Sequence, residues 1–586
     1  MARLKYNFTW KKYHRWFGLV LSVFMLVFCV SGIILNHREV FSGCEVSRKW
    51  LPASYHIKNF NNGVVKGTVV KNSGSLAISE GFSDSILVYG CAGVFLTDYQ
   101  LSTWQDFNAG LPKSIDERNV RHLVQARDGS LWCAALRDVY RYDENAQQWK
   151  KVELPGNEER IMDVALGKNS IQVVALTRSR IFEITPIASN IDVSESPSSL
   201  ASSAKGGVSE KSPDIFEKKS GGISEKVGTF LGKYRVESKI IPAPKNYEPK
   251  TTLFKLVWHL HSGEFFGLPG KLVVDAIALV LIVLSITGIL LFILPYGIRR
   301  AKKLAAKARM KRLGKQFAWN MKWHNKIGYV TIVLTLWIAI TGMCLRPPLM
   351  VPLVLSKLPQ AVGEDGNVWQ DKLRAIRWDA TQGDWLVSTS DGFLRVDEDF
   401  AKVPKMLPAD ECPKLSPMGV TVWESDGKGG WIVGSFRGIY RWNPVNLSSN
   451  QILDYFTGKP SEETSMIPIS DNLVCGYSED FLGGKPLVFD FAKGVEDAKG
   501  QAVALCNDEP KKSRNEESMS DLICETAPMS LWNVALELHV GRCYSPFLGP
   551  LSDLFVFLSG LLITLVLLSG YIISHRRRKK AQARLK

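Results

Sequence analysis

Four of the nine histidines stand where they could bind a metal or a haem, because they recur as two matched pairs. The pairs are His14 with His324 and His261 with His539. Imidazole is the commonest metal-binding side chain, and a low-spin haem iron takes two imidazoles from opposite sides of the macrocycle. Such pairs would support one-electron transfer.

The spacing around these histidines repeats along the chain. His14 and His324 are each followed by a glycine at i+4, and each precedes a further glycine by 18 residues. His261 and His539 stand in matching segments, in which the Leu, Leu, His and Gly positions coincide without a gap. These markers predict an internal two-fold duplication.

Six glycines share the pattern and are candidates for packing against a flat macrocycle. Two stand at i+4 from a histidine and four end a Ser/Thr-Gly pair: Gly18, Gly328, Gly32, Gly288, Gly342 and Gly570. A glycine one turn from a histidine lies on the same helix face and leaves room for a ring. Small residues also let membrane helices pack closely, so plain packing remains the alternative.

Three further residues are secondary candidates. His37 is a reserve ligand near the outer membrane edge. Asp275 and Asp553 each follow a paired histidine by fourteen residues. A carboxylate at that position could relay protons; equally, both could lie in a first helical turn, where the helix dipole favours negative charge.

Four near-continuous apolar segments must position these residues. They predict membrane helices at 17–36, within 251–296 after a lead-in segment, at 327–345, and within 529–573 after a second lead-in segment. The first lacks a cleavage site and is typical of an uncleaved signal anchor. The expected fold is an integral membrane α-helical bundle of four helices, with a mostly β domain built from the segments between them.

The net charge of +16 is concentrated beside the apolar segments. Residues 1–16, 297–326 and 574–586 contain 23 Lys and Arg and no Asp or Glu. The positive-inside rule places these stretches, and both termini, in the cytoplasm, and residues 37–250 and 346–528 outside. Because the bases flank membrane helices, the charge does not indicate a nucleic-acid partner.

This topology puts each histidine pair at one depth of the lipid bilayer. His14 and His324 fall at the cytoplasmic edge, and His261 and His539 at the outer edge. The sequence therefore predicts two haem b groups, each ligated by one pair. The alternative is that these histidines are ordinary interfacial residues.

The two external segments carry a recurring strand-pair motif that contains tryptophan. Its clearest copies are 128–143, 383–397 and 430–443. Period-2 alternation, a Gly/Asp turn and a spacing of 46 residues between Trp385 and Trp431 are typical of propeller blades. We expect blades over about 60–186 and 366–491 that close one propeller; two separate β domains are the alternative. The Ser-rich stretch 187–225 is a predicted linker.

The start Tyr13–Gly18, the element Leu260–Gly270 and the Ser/Thr-Gly pairs resemble PepSY-associated transmembrane helix proteins. That family includes bacterial inner-membrane ferrisiderophore reductases. The resemblance implies a location in the inner (cytoplasmic) membrane, histidine-ligated haems near its two faces, and electron transfer towards the periplasm. The chain departs from the family outside the helices, where the PepSY domain pattern is not recognisable.

The expected activity is electron delivery to a periplasmic acceptor, such as a ferric chelate in iron acquisition. The loop 297–326 is too short for a flavin or nicotinamide domain, so quinol or a separate cytoplasmic donor must supply the electrons. A second hypothesis is a non-enzymatic receptor or assembly module, in which a membrane-anchored propeller binds a periplasmic ligand. A transporter is less favoured, because no helix is clearly interrupted by its sequence.

Overall fold

The chain forms two compact units. The computed structural model describes residues 2–71, 85–101, 103–186, 229–231, 234–362, 365–416, 418–445, 452–461, 472–481, 483–505, 523 and 527–584. The helical unit contains Met1–His56, Glu248–Ala361 and Pro528–Lys586, and the β unit contains Ile57–Tyr247 and Val362–Ala527. The predicted linker 187–225 lies outside the described residues.

The described part of the helical unit has ten α-helices. They are α1 (Ala2–Asn36), α2 (Arg38–Phe41), α3 (Leu253–Ser262), α4 (Gly267–Lys303), α5 (Lys307–Val330), α6 (Ile332–Cys344), α7 (Met350–Leu355), α8 (Leu531–His539), α9 (Ser545–Leu548) and α10 (Ser552–Gln582). Two short antiparallel strand pairs join Glu45–Val46 to Met529–Ser530 and Lys250–Thr252 to Lys357–Pro359.

Three helical segments are long and apolar enough to cross a membrane: Lys11–Asn36, Glu264–Lys303 and Arg542–Gln582. Helices α5 and α6, which meet at an angle of 69°, pass the same test only when taken together, and they make a fourth candidate span if the bent pair counts as one. The membrane bundle expected from the sequence is thus confirmed. The continuous helix predicted at 327–345 is wrong near its start, where the structure is bent.

The bend lies at Thr331, which separates α5 from α6. The Thr331 hydroxyl donates to the carbonyl of Ile327 (2.9 Å), and the Thr335 hydroxyl donates to the carbonyl of Thr331 (3.1 Å). Threonine hydroxyls that bond back to the preceding turn bend helices. A composition that is apolar throughout does not reveal such a bend.

The lead-in helices α3 and α8 begin and end alike. The side chains of Thr252 and Ser530 cap them by accepting the backbone N–H three residues later. Gly263 follows α3 with φ +78°, and Gly541 follows α8 and its C-cap residue with φ +86°. A side chain at Gly263 would also collide with the backbone of Gly270. Each lead-in helix therefore stops just after its paired histidine.

The long helices pack against one another across the two halves of the chain. Helix α1 contacts α4, α8 and α10, and α6 contacts α3 and α10. Helix α5 contacts α4 and α10. Large apolar side chains such as Val20 and Val333 remain exposed, as is typical of helices that face lipid.

The described part of the β unit contains six antiparallel sheets in chain order. Sheet 1 is Gly67–Lys71, Ser85–Gly90, Gly93–Thr97 and Trp104–Asp106, and sheet 2 is His122–Gln125, Leu131–Ala134, Val139–Asp143 and Gln148–Val152. Sheet 3 is Ile161–Leu166, Val173–Thr177, Ile181–Pro186, Tyr234–Lys239 and Thr229–Leu231. Sheet 4 is Leu373–Asp379, Asp384–Thr389, Gly392–Val396 and Lys405–Met406, and sheet 5 is Val422–Ser425, Trp431–Ser435, Gly438–Trp442 and Ile452–Asp454. Sheet 6 is Val474–Ser478, Leu487–Asp490 and Gly494–Asp497.

Each apolar core of the β unit joins two sheets. In chain order the cores include Leu87 with Leu131, Trp132 with Val173, Leu176 with Trp385, Phe393 with Trp423, and Ile432 with Val488. A sixth core, which includes Phe95 and Phe489, joins sheet 6 back to sheet 1. The cores therefore form a closed cycle, to which each inter-helix segment contributes three sheets. The mostly β domain is confirmed.

A buried ion pair links sheets from the two segments. Arg377 of sheet 4 donates to the carboxylate of Asp163 in sheet 3 (2.6 Å), and His122 of sheet 2 lies 3.2 Å from the same carboxylate. Burial raises the pKa of Asp163, but Arg377 and His122 outweigh burial and hold it below its usual value.

The strands extend beyond the predicted blade bounds. Tyr234–Lys239 pairs with Ile181–Pro186 and so completes sheet 3 after the predicted linker. Its sequence has only one buried residue, Val236, and therefore no clear alternation. The second set of sheets also continues, to Asp497.

Candidate functional site

The structure brings His14 and His324 together. His14 lies on α1 and His324 on α5, and the centroids of their rings are 6.4 Å apart, with an angle of 70° between the ring planes. The two residues come from opposite halves of the chain. We call them the inner pair.

The structure also brings His261 and His539 together. They lie at the ends of α3 and α8, and their ring centroids are 6.1 Å apart, with an interplanar angle of 51°. We call them the outer pair. Helix α1 contacts both pairs. It carries His14 itself, and 18 residues later its Gly32 lies against the ring of His539.

Each of the four imidazoles is held by a hydroxyl of one Ser/Thr-Gly pair. The contacts at Nδ1 are His14 with Ser569 (2.9 Å), His324 with Thr287 (2.9 Å), His261 with Thr341 (3.0 Å) and His539 with Ser31 (2.9 Å). In every case the hydroxyl comes from the half of the chain that does not contain the histidine. The two halves therefore position each other's histidines.

These contacts assign the proton on each ring. Each hydroxyl donates its one proton to a carbonyl of its own helix, as Thr341 does to Trp337 (2.8 Å). The hydroxyl oxygen is then an acceptor, so Nδ1 must carry a proton. His14 and His539 support this independently, because their Nδ1 atoms also lie 3.1 Å from a backbone carbonyl oxygen. Nε2 is left with its lone pair.

The separation within each pair fits one shared metal ion. A metal–nitrogen bond of about 2 Å places the centroid of a coordinated imidazole about 3 Å from the metal. Two imidazoles on opposite sides then have centroids about 6 Å apart, as the two pairs do. A ligating histidine usually donates its other ring N–H to a neighbouring group, as all four do. The residues present therefore fit a bis-histidine haem at each pair.

Four glycines have a different role from the one expected. Gly32, Gly288, Gly342 and Gly570 each lie against the Cε1 atom of a histidine, and so make room for an imidazole. A Cβ at Gly342 would lie 2.8 Å from Cε1 of His261, closer than real Cβ contacts. Packing of these glycines directly against a macrocycle is therefore not what the structure indicates.

A cavity of about 360 Å³ opens beside the inner pair. Both inner histidines line it, together with Gly18 and Gly328, which have no neighbouring atom closer than ordinary contact distance. Most of the remaining lining is apolar. Gly18 and Gly328 therefore border an open space beside the two inner histidines.

The secondary candidates lie in polar contacts of their own. His37 Nε2 lies 2.7 Å from Asp275, which also accepts a hydrogen bond from Asn36 (3.1 Å). Asp553 accepts one from Arg346 (3.1 Å). Asp553 lies in the first turn of its helix, whereas Asp275 lies well inside α4, because that helix begins at Gly267. The dipole interpretation of Asp275 is therefore wrong, and the imidazole of His37 is engaged by Asp275.

Two groups of residues that contact the candidate residues are not predicted from the sequence. The Ser/Thr hydroxyls are not predicted as partners of the histidines, although their fixed place before each glycine is a signal. Arg346 was also missed; it stands 310 residues after Asn36, the same offset as His324 from His14. Within the described ranges no cluster of three or more His, Cys, Asp or Glu could hold a metal ion.

Of three comparisons with known proteins, one assigns the chain to a family. No match is found among curated proteins. Among solved structures, the extracellular domain of a protein described as a one-component system from B. thetaiotaomicron is 11% identical, with a TM-score of 0.32. That similarity covers 78% of this chain and 38% of the other, and so low a TM-score assigns no fold. The model of the PepSY-associated TM region matches residues 3–294 and 293–578. The chain therefore belongs to the PepSY-associated TM family.

Proposed function

We propose that the helical unit holds two haem b groups and moves electrons from one membrane face to the other. The observation that carries this proposal is the geometry of the two histidine pairs, with Nδ1 engaged and Nε2 free in all four rings. Haem supplies one-electron transfer when bound. The pairs lie about 27 Å apart along α1, which is most of the ~30 Å thickness of the apolar bilayer core.

The residues of the chain would prepare each site. The hydroxyls of Ser31, Thr287, Thr341 and Ser569 hold the ring orientation and keep the proton on Nδ1. Glycine beside each ring lets the helix backbone approach it. Because these groups come from both halves of the chain, the proposal includes an internal two-fold duplication.

The basic segments support an orientation for this transfer. With 1–16, 297–326 and 574–586 in the cytoplasm, the inner pair lies on the cytoplasmic side of a bacterial inner membrane. Quinol or a separate cytoplasmic protein would donate electrons there. The outer pair would deliver them to a periplasmic acceptor such as a ferric chelate, and the protein would then act as a reductase. Asp275, in contact with His37, is the better of the two proposed proton-relay carboxylates.

We also propose that the six sheets of the β unit are the blades of one propeller. The closed cycle of cores supports this arrangement, because two separate domains would not share the cores that join sheet 3 to sheet 4 and sheet 6 to sheet 1. A propeller outside the membrane would suit a receptor or assembly module as well. That second function applies if the helices hold no cofactor.

The test is the reduced-minus-oxidised visible spectrum of the purified full-length protein, with haem counted per chain. We expect two haems with low-spin spectra. His14→Ala or His324→Ala should remove one haem and leave the other, since the pairs are far apart. His261→Ala or His539→Ala should remove the second haem and leave the first.

His259→Ala is the matched control. His259 stands on α3, two residues before His261, and belongs to neither pair. We expect this variant to keep both haems. A wild-type protein without haem absorbance would overturn the electron-transfer proposal and leave the receptor as the function.

A further inference from the structure

Three cations line the cavity beside the inner pair: Lys11, Arg15 and Arg577. None of them forms an ion pair with a carboxylate of the described residues. The Arg15 guanidinium lies over the ring of Phe292 (4.8 Å), and the Arg577 guanidinium lies 3.8 Å from the sulfur of Met321. Neither contact neutralises a positive charge, so this wall of the cavity attracts anions.

Helix geometry places the cations together. Lys11 and Arg15 are four residues apart and so share one face of α1, and both lie within one turn of His14. Arg577 follows Gly570 by two turns on α10, and Gly570 lies against the His14 ring. Since α1 and α10 pack side by side, all three cations lie where α1 begins and α10 ends.

The opposite wall, from α4 and α5, carries no cation. Met321 and Asn325 stand 310 residues after Lys11 and Arg15, the same offset that relates His324 to His14. The repeat alone would have put cations on both walls. A general excess of bases beside the membrane would also have put cations on both walls. Helix α5 contains many Lys and Arg, but none of them lines the cavity. The cations are therefore a one-sided feature of this cavity.

We propose that Lys11, Arg15 and Arg577 bind the two propionate carboxylates of the haem held by the inner pair. This proposal rests on the proposed function. Haem b is a flat apolar ring with two carboxylates at one edge, which matches an apolar cavity with cations on one wall. Arginine binds carboxylates through paired hydrogen bonds, and so would fix which edge of the ring faces α1 and α10.

The experiment compares haem with haem dimethyl ester, in which both carboxylates are methylated. The full-length protein carrying His539→Ala, which removes the outer pair, is prepared without haem and titrated with each compound by visible absorbance. We expect this parent to bind haem about tenfold or more tightly than the ester. Adding Lys11→Gln, Arg15→Gln and Arg577→Gln should reduce the preference to about threefold or less, through weaker binding of haem alone.

The matched control removes three neighbouring charges that do not line the cavity, with Lys12→Gln, Arg576→Gln and Lys580→Gln. We expect the preference for haem to persist in this variant. An equal loss in the control, or an unchanged preference in the triple variant, would overturn the proposal. If the triple variant does not fold, the single variant Arg577→Gln decides by the same comparison. A parent that binds neither compound overturns the proposed function itself.

Discussion

The position of one proton on each imidazole determines what the histidine pairs can bind. A histidine with its proton on Nε2 cannot ligate a metal through that atom. Here the hydroxyl in front of each glycine gives its own proton to its helix and accepts the proton of Nδ1. A serine or threonine that bonds back to its own helix is usually of little consequence, but here that bond sets the tautomer of a neighbouring ring.

This role predicts the effect of Thr341→Val, which keeps the shape of the side chain and removes the acceptor. The Nδ1–H of His261 then loses the Thr341 hydroxyl as its acceptor and keeps only the backbone of Ile338. Loss of a group that hydrogen-bonds a ligating histidine typically lowers the affinity for the metal about 10–100-fold. We expect the outer haem to bind more weakly and its reduction potential to move, while the inner haem is unchanged, as measured by a spectroelectrochemical titration.

Thr564→Val serves as the comparison, because the Thr564 hydroxyl donates to the carbonyl of Gly560 within its own helix, α10 (2.8 Å). This variant should leave the reduction potentials of both haems unchanged. If Thr341→Val also left the outer affinity and potential unchanged, the hydroxyl would be a packing group and the tautomer argument would fail.

At the scale of helices, glycine sets how closely a helix can approach a histidine of the other half. A methyl group at Gly342 would lie 2.8 Å from the His261 ring, and one at Gly570 would lie 2.9 Å from the His14 ring. Because both neighbours are rings held by hydrogen bonds, neither can move away freely.

Gly342→Ala is therefore expected to displace His261 and remove the outer haem, and Gly570→Ala to remove the inner haem. Overpacking of this kind costs about 1–3 kcal/mol. Haem per chain and the spectrum of the haem that remains are the measurements. Gly314→Ala is the control, since nothing lies within 4 Å of a Cβ at Gly314. Loss of both haems in either variant would contradict separate sites.

The helices also mark what a sequence can and cannot predict. Repeated spacings predicted which histidines correspond, because the 18-residue interval survives in the chain itself. The partner of each histidine could not be predicted, since it depends on which helices become neighbours. The bend at Thr331 depends on a side-chain rotamer, and the strand Tyr234–Lys239 on a single buried valine. Alternation predicted the other strands because it is strong there.

At the scale of the whole molecule, Asp163 and Arg377 join sheets that come from different segments of the chain. Asp163→Asn would leave buried Arg377 without the carboxylate that it donates to, with Glu424 as its remaining acidic neighbour. Breaking a buried pair costs up to about 3–5 kcal/mol. We expect a lower unfolding temperature, as measured by the tryptophan fluorescence of the full-length protein during heating. Asp138→Asn breaks an exposed pair with Lys151 and should change little.

The same pair predicts a pH dependence. The pKa of Asp163 is lower in the folded state than in the unfolded chain, so its contribution is complete above the unfolded value of about 3.9. The contribution of Asp163 to the free energy of unfolding is lost as the pH falls through the pKa of its folded state. The unfolding temperature of the wild type should thus fall more steeply below pH 4 than that of Asp163→Asn. Parallel curves would contradict the inferred shift.

The orientation of the molecule is open to a direct test. Topology reporters fused after residue 310 and after residue 450 should give opposite signals, because only the first position lies in a segment with many bases and no acid. The fusion at 310 is expected to report the cytoplasm. Matching signals would contradict four crossings.

The core that joins sheet 6 to sheet 1 has a consequence for how the protein is made. Phe95 leaves the ribosome roughly 400 residues before Phe489, which at about 5–20 residues per second is a delay of some tens of seconds. During that time the apolar face of sheet 1 is complete but uncovered, and two membrane helices are synthesised in between. The newborn first half is therefore a target for holding chaperones and for aggregation. A faster rate of synthesis, or a shorter route between the two segments, would raise the yield of folded protein.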